Sequence, residues 1–121
     1  MILLDTNAFI WLEARHPRAA ALGGGPFALS PASVLELAYL VEAGRLRPTR
    51  PDFLGALGDH PTVRVDNIHA SPWFLAAASL TWTRDPFDRL ISAHALHRKW
   101  RLATGDGSIL RALGPEATLA L

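Results

Sequence analysis

Four acidic residues stand at positions where carboxylates could act together in chemistry. Asp5 and Asp106 each follow a short apolar run, and Glu36 and Asp88 lie in helical segments rich in apolar residues. Clustered carboxylates repel one another, and a cation relieves that repulsion. Because all the ligands would be oxygen atoms, such a cluster suits Mg²⁺ or Mn²⁺. The pattern favours hydrolysis of a phosphodiester bond, with Asp106 or Asp88 orienting or deprotonating the attacking water.

The two acids that follow strands also have a structural interpretation. Asp5 or Thr6 could cap the N-terminus of the next helix, since both residue types accept hydrogen bonds from free helical N–H groups. Asp106-Gly107 is an ordinary turn pair. The sequence leaves both interpretations open beside the catalytic one.

The two acids in helical segments differ in how well a structural role explains them. Asp85 fits an N-cap before Pro86, and Asp88 fits the third position of a capping box, although Asp85 can cap without it. Glu36 has no basic residue within helical reach and lies in a segment that is apolar nearly all round. A buried Glu36 would need a partner or a metal, whereas an exposed stripe of the helix would not.

Short apolar strands alternate with helices along the chain. The predicted strands are Met1–Leu4, Phe27–Ser30, Thr62–Asp66, Arg101–Thr104 and Ala117–Leu121. The predicted helices are Thr6–Glu13, Pro31–Gly44, Pro51–Leu57, Pro72–Trp82, Pro86–Trp100 and Ser108–Leu113. This alternation predicts an α/β fold with a parallel sheet covered on both faces. Ligand sites in such sheets lie beyond the carboxyl ends of the strands, where Asp5 and Asp106 are expected.

Composition narrows the class of protein. A chain of 121 residues, half of them hydrophobic, fits one compact domain with a substantial core. The absence of cysteine excludes disulfides, thiolate metal sites and cysteine nucleophiles. No signal peptide and no membrane-length apolar run are present, so we expect a soluble cytoplasmic protein with no membrane partner. The net charge of +1 decides little.

Four segments, in order, resemble the motifs of the PIN-domain family and in particular its VapC-type toxins. The segments are Leu3-Leu4-Asp5-Thr6-Asn7, Ser33–Ala38 followed by Gly44-Arg45-Leu46, Asp85–Ala93 and Leu102–Asp106. Asp-Thr-Asn alone occurs by chance, whereas the stretch from Asp85 to Ala93 is distinctive. The four motifs together cover nearly the whole chain.

The resemblance carries implications for fold, activity and partners. It implies a single PIN domain over residues 1–121, a three-layer α/β/α sandwich with about five parallel strands. It implies an Mg²⁺- or Mn²⁺-dependent endoribonuclease, the toxin of a type II toxin–antitoxin pair, with a cognate antitoxin and a homodimer. The catalytic and metal-binding acids that it implies are Asp5, Glu36, Asp88 and Asp106. The polar residues that it implies for orienting these acids are Thr6, Asn7, Ser33 and Thr104.

Other residues have weaker interpretations. Arg84 and Arg89 flank the Asp85–Asp88 stretch and could meet RNA phosphates, or could belong to a solvated helix start. Asp85 matches a family aspartate beside the site, and helix capping remains its main role. His94 and His97 have a spacing that can hold zinc, but no further ligands accompany them.

The sequence bears on three alternatives to an RNA-cleaving enzyme. A phosphatase of the haloacid-dehalogenase type would need a second aspartate at position 7, where this chain has Asn7. A DNA nuclease on the same fold is separated from a ribonuclease only by the resemblance. A catalytically silent binding or assembly protein would be indicated by loss of an acid, and all four acids are present.

Overall fold

The structure, a computed structural model, describes residues 1–121 and is organised around one five-stranded sheet. The strands are β1 (Ile2–Leu4), β2 (Phe27–Leu29), β3 (Val63–Val65), β4 (Arg101–Thr104) and β5 (Thr118–Ala120). They lie in the order β3-β2-β1-β4-β5, and every neighbouring pair is parallel. The predicted α/β fold with a parallel sheet of about five strands is therefore confirmed.

Helices connect the strands and cover both faces of the sheet. The α-helices are α1 (Thr6–Glu13), α2 (Pro31–Glu42), α3 (Ala70–Ala78), α4 (Pro86–Arg98) and α5 (Gly107–Leu113), and two 3₁₀-helices span Pro17–Leu22 and Gly55–Asp59. Successive strand residues point to opposite faces. Leu3 packs in a core with residues of α3 and α4, whereas Leu4 packs in a second core with residues of α1 and α2. None of the helices combines the length and the apolar character that crossing a membrane requires.

The strand register brings three turns to one level at the carboxyl edge of the sheet. Leu4 at the end of β1 pairs with Leu29 on one side and with Ala103 on the other. The N–H of Asp5 then donates to the Ala103 carbonyl at 3.0 Å. Residues immediately after β1, β2 and β4 consequently lie side by side where ligand sites of parallel sheets form.

The predicted helix at Pro51–Leu57 is wrong in type and position. The structure has only a short 3₁₀-helix at Gly55–Asp59, preceded by turns. Gly55 and Gly58 disfavour an α-helix because glycine loses the most backbone freedom on ordering. The tighter turn still buries Leu57, which is 7% exposed and packs in the core beside α1 and α2.

Helix α2 has an exposed apolar stripe that its sequence did not suggest. A segment so rich in apolar residues was expected to be largely buried, yet Leu35 is 65% exposed and Tyr39 is 48% exposed. Leu37, on the inner face, is buried at 1%. The helix lies on the sheet with one face and presents the other to solvent, and Glu36 is half-buried between these two faces.

Candidate active site

Asp5 occupies the turn between β1 and α1. Its Oδ1 accepts a hydrogen bond from the Ala8 N–H at 2.6 Å, so the N-cap interpretation is confirmed. The residue is only 7% exposed. Burial raises the pKa of Asp5 to about 6, although the Thr104 side chain and the Ala8 N–H favour the charged form. Capping alone does not require a carboxylate so deeply buried.

Asp106 lies on the neighbouring turn, between β4 and α5. Its carboxylate accepts hydrogen bonds from the N–H groups of Ser108 at 2.7 Å and Ile109 at 3.3 Å, and thereby caps α5. Its own N–H donates to Thr104 Oγ1 at 3.0 Å. Because Thr104 is completely buried and also interacts with Asp5, one hydroxyl links the two acids that follow strands.

Glu36 comes to the same edge from the second turn of α2. Burial raises the pKa of Glu36, and the charge of Asp85 raises it further, whereas the Thr6 hydroxyl lowers it. The hydroxyls of Thr6 and Ser33 hydrogen-bond to each other at 3.0 Å, and both residues are buried. These hydroxyls connect the starts of α1 and α2 beneath the carboxylate.

Asp88 stands in the first turn of α4. Asp85 caps this helix, because its Oδ1 accepts hydrogen bonds from the N–H groups of Phe87 at 2.8 Å and Asp88 at 3.2 Å. Asp88 itself is half-buried. Burial raises the pKa of Asp88 to about 7, and the nearby negative charges of Asp85 and Asp106 add to this effect.

The four acids form one electrostatic unit. The pKa of Asp88 is raised by the charges of Asp106, Glu36 and Asp5. The pKa of Asp5 is raised by the charges of Glu36 and Asp106. No three of the side chains are already arranged to coordinate a single ion. Like-charged carboxylates stand apart unless a cation lies between them, and Mg²⁺ needs only one or two direct carboxylates. The oxygen-only donors therefore fit Mg²⁺ or Mn²⁺.

The remaining polar and basic residues singled out in the sequence occupy different surroundings. Asn7 and Arg84 are exposed and make no side-chain hydrogen bond within the chain. Arg89 instead uses its guanidinium inside the protein, donating to the carbonyls of Thr83 at 2.7 Å and Ala78 at 3.5 Å. Of the two arginines, Arg84 is therefore the one left free to meet a ligand.

His94 belongs to a buried polar cluster away from the acids. Its Nε2 hydrogen-bonds to Asp66 Oδ2 at 2.8 Å, and Arg98 Nε donates to the same oxygen at 2.8 Å. His94 is completely buried, whereas His97 is exposed, so the two rings do not converge. The spacing of three residues reflects the buried and exposed faces of α4 and not a zinc site.

Trp11 and Arg18 form a pair near the acids that no sequence pattern predicts. The guanidinium of Arg18 lies over the ring of Trp11, 4.2 Å from its centroid, and both contact the backbone at Gly105. Gly105 immediately precedes Asp106. Trp11 lies one helical turn beyond Asn7, but no local pattern marks Arg18.

Replacing Asp88 with asparagine is expected to stabilise the metal-free protein above pH 7. The pKa values of Asp5 and Asp88 in the folded chain, about 6 and about 7, lie above the unfolded value of about 3.9. The stability that these groups contribute is therefore present near pH 4 and is lost as the pH rises through 6 and 7. Asparagine has no charge to bury, so we expect the free energy of unfolding at pH 8 to increase by about 1–2 kcal/mol after allowing for partial exposure.

Thermal unfolding in EDTA between pH 4 and pH 8 measures this effect. Asp52→Asn is the matched control, since the Asp52 side chain is 67% exposed and pairs with Arg50 on the surface. We expect the melting temperatures of Asp88→Asn and the parent chain to separate as the pH rises, and those of Asp52→Asn and the parent to run in parallel. An equal gain in both variants, or a loss in Asp88→Asn, contradicts the prediction.

Comparison with known proteins identifies the family. The sequence model of the PIN-domain family matches residues 2–113 of this chain. A curated relative, named Ribonuclease VapC22 from Mycobacterium tuberculosis, is 32% identical over 114 residues, which cover 87% of this chain and 86% of the relative. The matched region contains all four acids and every strand from β1 to β4.

Solved structures share the fold at lower sequence identity. A chain of a toxin–antitoxin complex from Klebsiella pneumoniae superposes with a TM-score of 0.69 at 18% identity, covering 99% of this chain and 97% of that chain. A chain of FitAB, in a structure bound to the IR36 DNA fragment, gives a TM-score of 0.61 at 20% identity, covering 99% and 94% respectively. These structural similarities support the assignment of the fold. The sequence matches establish that the chain is related to PIN-domain proteins. The chain belongs to the PIN-domain family, in which it is of the VapC type.

Proposed function

We propose that this protein is a metal-dependent endoribonuclease that hydrolyses RNA phosphodiester bonds as the toxin of a type II toxin–antitoxin pair. The observation that carries the proposal is the electrostatic unit formed by Asp5, Glu36, Asp88 and Asp106. Acids whose negative charges raise the pKa of Asp5 and Asp88 at the edge of a sheet are costly without a cation, and their presence is explained by a bound one. The relative's name, Ribonuclease VapC22, supports RNA as the substrate class.

The four acids would contribute unequally to the binding of a divalent cation. Asp5 and Asp88 would bind the ion most directly, because they are the two carboxylates whose pKa is raised furthest and which gain most from a neighbouring positive charge. Glu36 and the more exposed Asp106 would complete the oxygen ligands, directly or through water. When bound, Mg²⁺ or Mn²⁺ supplies electrostatic stabilisation of the charge that develops on the phosphate.

The polar residues around the acids hold them in place. Thr104 positions Asp5 and Asp106 together, and Thr6 with Ser33 supports Glu36 from below. Hydroxyls that are buried and already hydrogen-bonded keep the carboxylates oriented without further cost during the reaction. Asp106, which is exposed, or Asp88, which is half-buried, would orient the attacking water and accept its proton.

An antitoxin partner and a homodimer complete the proposal. Support comes from the exposed apolar residues beside Glu36, namely Leu35 at 65% and Tyr39 at 48% exposure. Apolar side chains that cluster at a surface are typical of protein interaction sites. A partner seated on α2 would lie next to the acids and could block them. A chain of the toxin–antitoxin complex from Klebsiella pneumoniae shares the fold of this protein, which supports an antitoxin as the partner.

Cleavage of RNA by the purified chain tests the function directly. A mixed cellular RNA pool and a DNA pool of similar length are incubated with protein freed of any bound partner, in Mg²⁺, in Mn²⁺ and in EDTA. We expect RNA fragments with either metal and intact RNA in EDTA, because the acids alone repel a phosphate. Sequencing the new ends then identifies the RNA target.

The controls separate the proposed enzyme from its alternatives. Asp88→Asn, purified in parallel, shows whether cleavage belongs to this chain or to a contaminating nuclease. Cleavage of DNA with RNA left intact would replace the substrate class. Folded, partner-free protein that cleaves neither nucleic acid with either metal would overturn the enzymatic proposal in favour of a binding role.

A further inference from the structure

Arg18 is held beside the acidic group by two specific contacts. Its guanidinium lies over the Trp11 ring, 4.2 Å from the ring centroid. Its Nη2 donates to the main-chain O atom of Leu121, the last residue of the sequence, at 2.9 Å, a contact between residues 103 positions apart. Stacking on an aromatic face and a fixed hydrogen bond restrict a side chain that would otherwise be mobile. An exposed arginine is thus held in one orientation.

The position of Arg18 next to the acids depends on the absence of a side chain at Gly105. A Cβ atom added to Gly105 would lie 2.5 Å from Arg18 Nη2 and 2.7 Å from the Trp11 ring. Gly105 stands between Thr104 and Asp106, so the guanidinium packs directly against the backbone that carries Asp106. Consecutive Cα atoms are about 3.8 Å apart, which places the cation within a nucleotide's length of the acids.

Arg18 forms no ion pair with an aspartate or glutamate side chain. The guanidinium has no Asp or Glu carboxylate within 4.0 Å, whereas Arg98 is paired with Asp66 and Arg50 with Asp52. An arginine has five N–H donors, and only Nη2 donates to an acceptor in the chain. The remaining donors are available to a ligand, and their planar arrangement matches phosphate oxygens.

We propose that Arg18, supported by Trp11, binds a backbone phosphate of the RNA strand beside the bond that is cleaved. This inference rests on the proposed nuclease function. A site of four acids attracts a metal but repels the neighbouring phosphates of the same strand, so a cation at its rim is needed to hold them. Arg18 lies on the β4 side of the acids, and Arg84 and Asp88 lie at the start of α4. The RNA strand then crosses the carboxyl edge of the sheet with one phosphate on Arg18.

Binding of RNA to an inactive protein tests the role of Arg18 without depending on cleavage. A fluorescent single-stranded RNA is titrated with Asp88→Asn protein in Mg²⁺ at several salt concentrations, and anisotropy gives the dissociation constant. Arg18→Gln in this background is expected to weaken binding about 3–10-fold and to reduce the slope of log affinity against log salt by about 0.7, the value for one phosphate on a single strand.

Two further variants make the comparison specific. Arg47→Gln removes the same charge from an exposed arginine beyond the end of α2, which lies at the opposite edge of the sheet. Its dissociation constant is expected to change less than twofold. Arg18→Lys keeps the charge but loses the planar fork, so its affinity should fall between those of the parent and Arg18→Gln.

The outcomes distinguish the inference from the function on which it rests. If the parent binds RNA and Arg18→Gln behaves like Arg47→Gln in affinity and salt slope, the phosphate contact is wrong and the nuclease proposal stands. If the Asp88→Asn protein does not bind RNA at any salt concentration, the Arg18 contact is wrong, and RNA cleavage by the unmutated chain decides the nuclease proposal separately. A selective loss in Arg18→Gln, with melting temperature unchanged, establishes the contact.

Discussion

Replacing Asp5 with asparagine is expected to reduce RNA cleavage at least about a hundredfold while the fold is retained, a loss of about 2.7 kcal/mol in transition-state stabilisation. The substitution removes one negative charge from the proposed metal site and changes little else. Asparagine caps helices as well as aspartate does, so the hydrogen bond to the Ala8 N–H is preserved. This variant therefore separates a loss of cleavage activity from a loss of stability.

Initial rates of RNA cleavage in Mg²⁺ and thermal unfolding of the same preparations measure the two effects. Because burial raises the pKa of Asp5 to about 6, its charge opposes folding at neutral pH. The melting temperature of metal-free Asp5→Asn should therefore equal or exceed that of the parent at pH 8. Asp52→Asn, which changes an exposed acid outside the electrostatic unit, is the control and should keep its full cleavage rate.

Two results would contradict the assignment of Asp5 to the metal site. Full cleavage by Asp5→Asn would show that the carboxylate is only a helix cap. A variant that loses activity and also unfolds at the assay temperature would show that the loss is structural. In that event Asp5→Ser, which also retains a capping oxygen, distinguishes an unfolded protein from an inactive one.

Local signals account for most of the fold that the sequence predicted. The bounds of α1 agree with the prediction, because Asp5 caps the helix after an apolar strand. The start of α4 agrees as well, since Asp85 and Pro86 mark it. The ends of helices were predicted less accurately. Helix α4 stops at Arg98 because Lys99 adopts a left-handed conformation with φ 57°, and a lysine in the sequence does not predict that conformation.

The candidate site was predictable where it depends on strand ends and helix starts. Asp5 and Asp106 follow strands whose register aligns them, and a parallel sheet dictates that arrangement. Arg18 could not be found in this way, since its contacts with Trp11, Gly105 and Leu121 join parts of the chain that only folding brings together. The same holds for Asp66, whose partners His94 and Arg98 lie 28 and 32 residues away.

The second large effect is expected from Asp66→Ala, which should lower the free energy of unfolding by about 3 kcal/mol. The Asp66 carboxylate accepts hydrogen bonds from His94 Nε2 and Arg98 Nε, each at 2.8 Å, and from Arg98 Nη2 at 3.2 Å. Burial lowers the pKa of His94, which indicates a neutral ring that donates through Nε2. Its Nδ1 is already without a partner, so loss of Asp66 would leave a completely buried imidazole with no hydrogen bond.

Urea unfolding of three variants separates this cluster from ordinary surface charge. Asp66→Asn keeps the shape and an acceptor oxygen and should lose less stability than Asp66→Ala. Asp52→Ala breaks the exposed pair with Arg50, at 3.3 Å, and should cost at most about 0.5 kcal/mol. A loss in Asp66→Ala no larger than in Asp52→Ala would show that the cluster does not stabilise the protein.

The pH dependence of the stability lost in Asp66→Ala provides a second check. The charged Asp66 carboxylate stabilises the fold, whereas the charged carboxylates of Asp5 and Asp88 destabilise it. Burial raises the pKa of Asp66, but hydrogen bonds and charge from Arg98 and His94 outweigh it, and the net pKa is lowered. The stability that Asp66 contributes is therefore present above the unfolded pKa of about 3.9 and is lost as the pH falls through the lowered value. Both variants should differ more from the parent as the pH rises, but Asp66→Ala should be the less stable protein of its pair and Asp88→Asn the more stable protein of its pair. Asp66 binds Arg98 at the C-terminal end of α4, whereas Asp88 lies at its start, so folded Asp66→Ala should still cleave RNA. A loss of cleavage would show that the contact of Asp66 with α4 also positions the site.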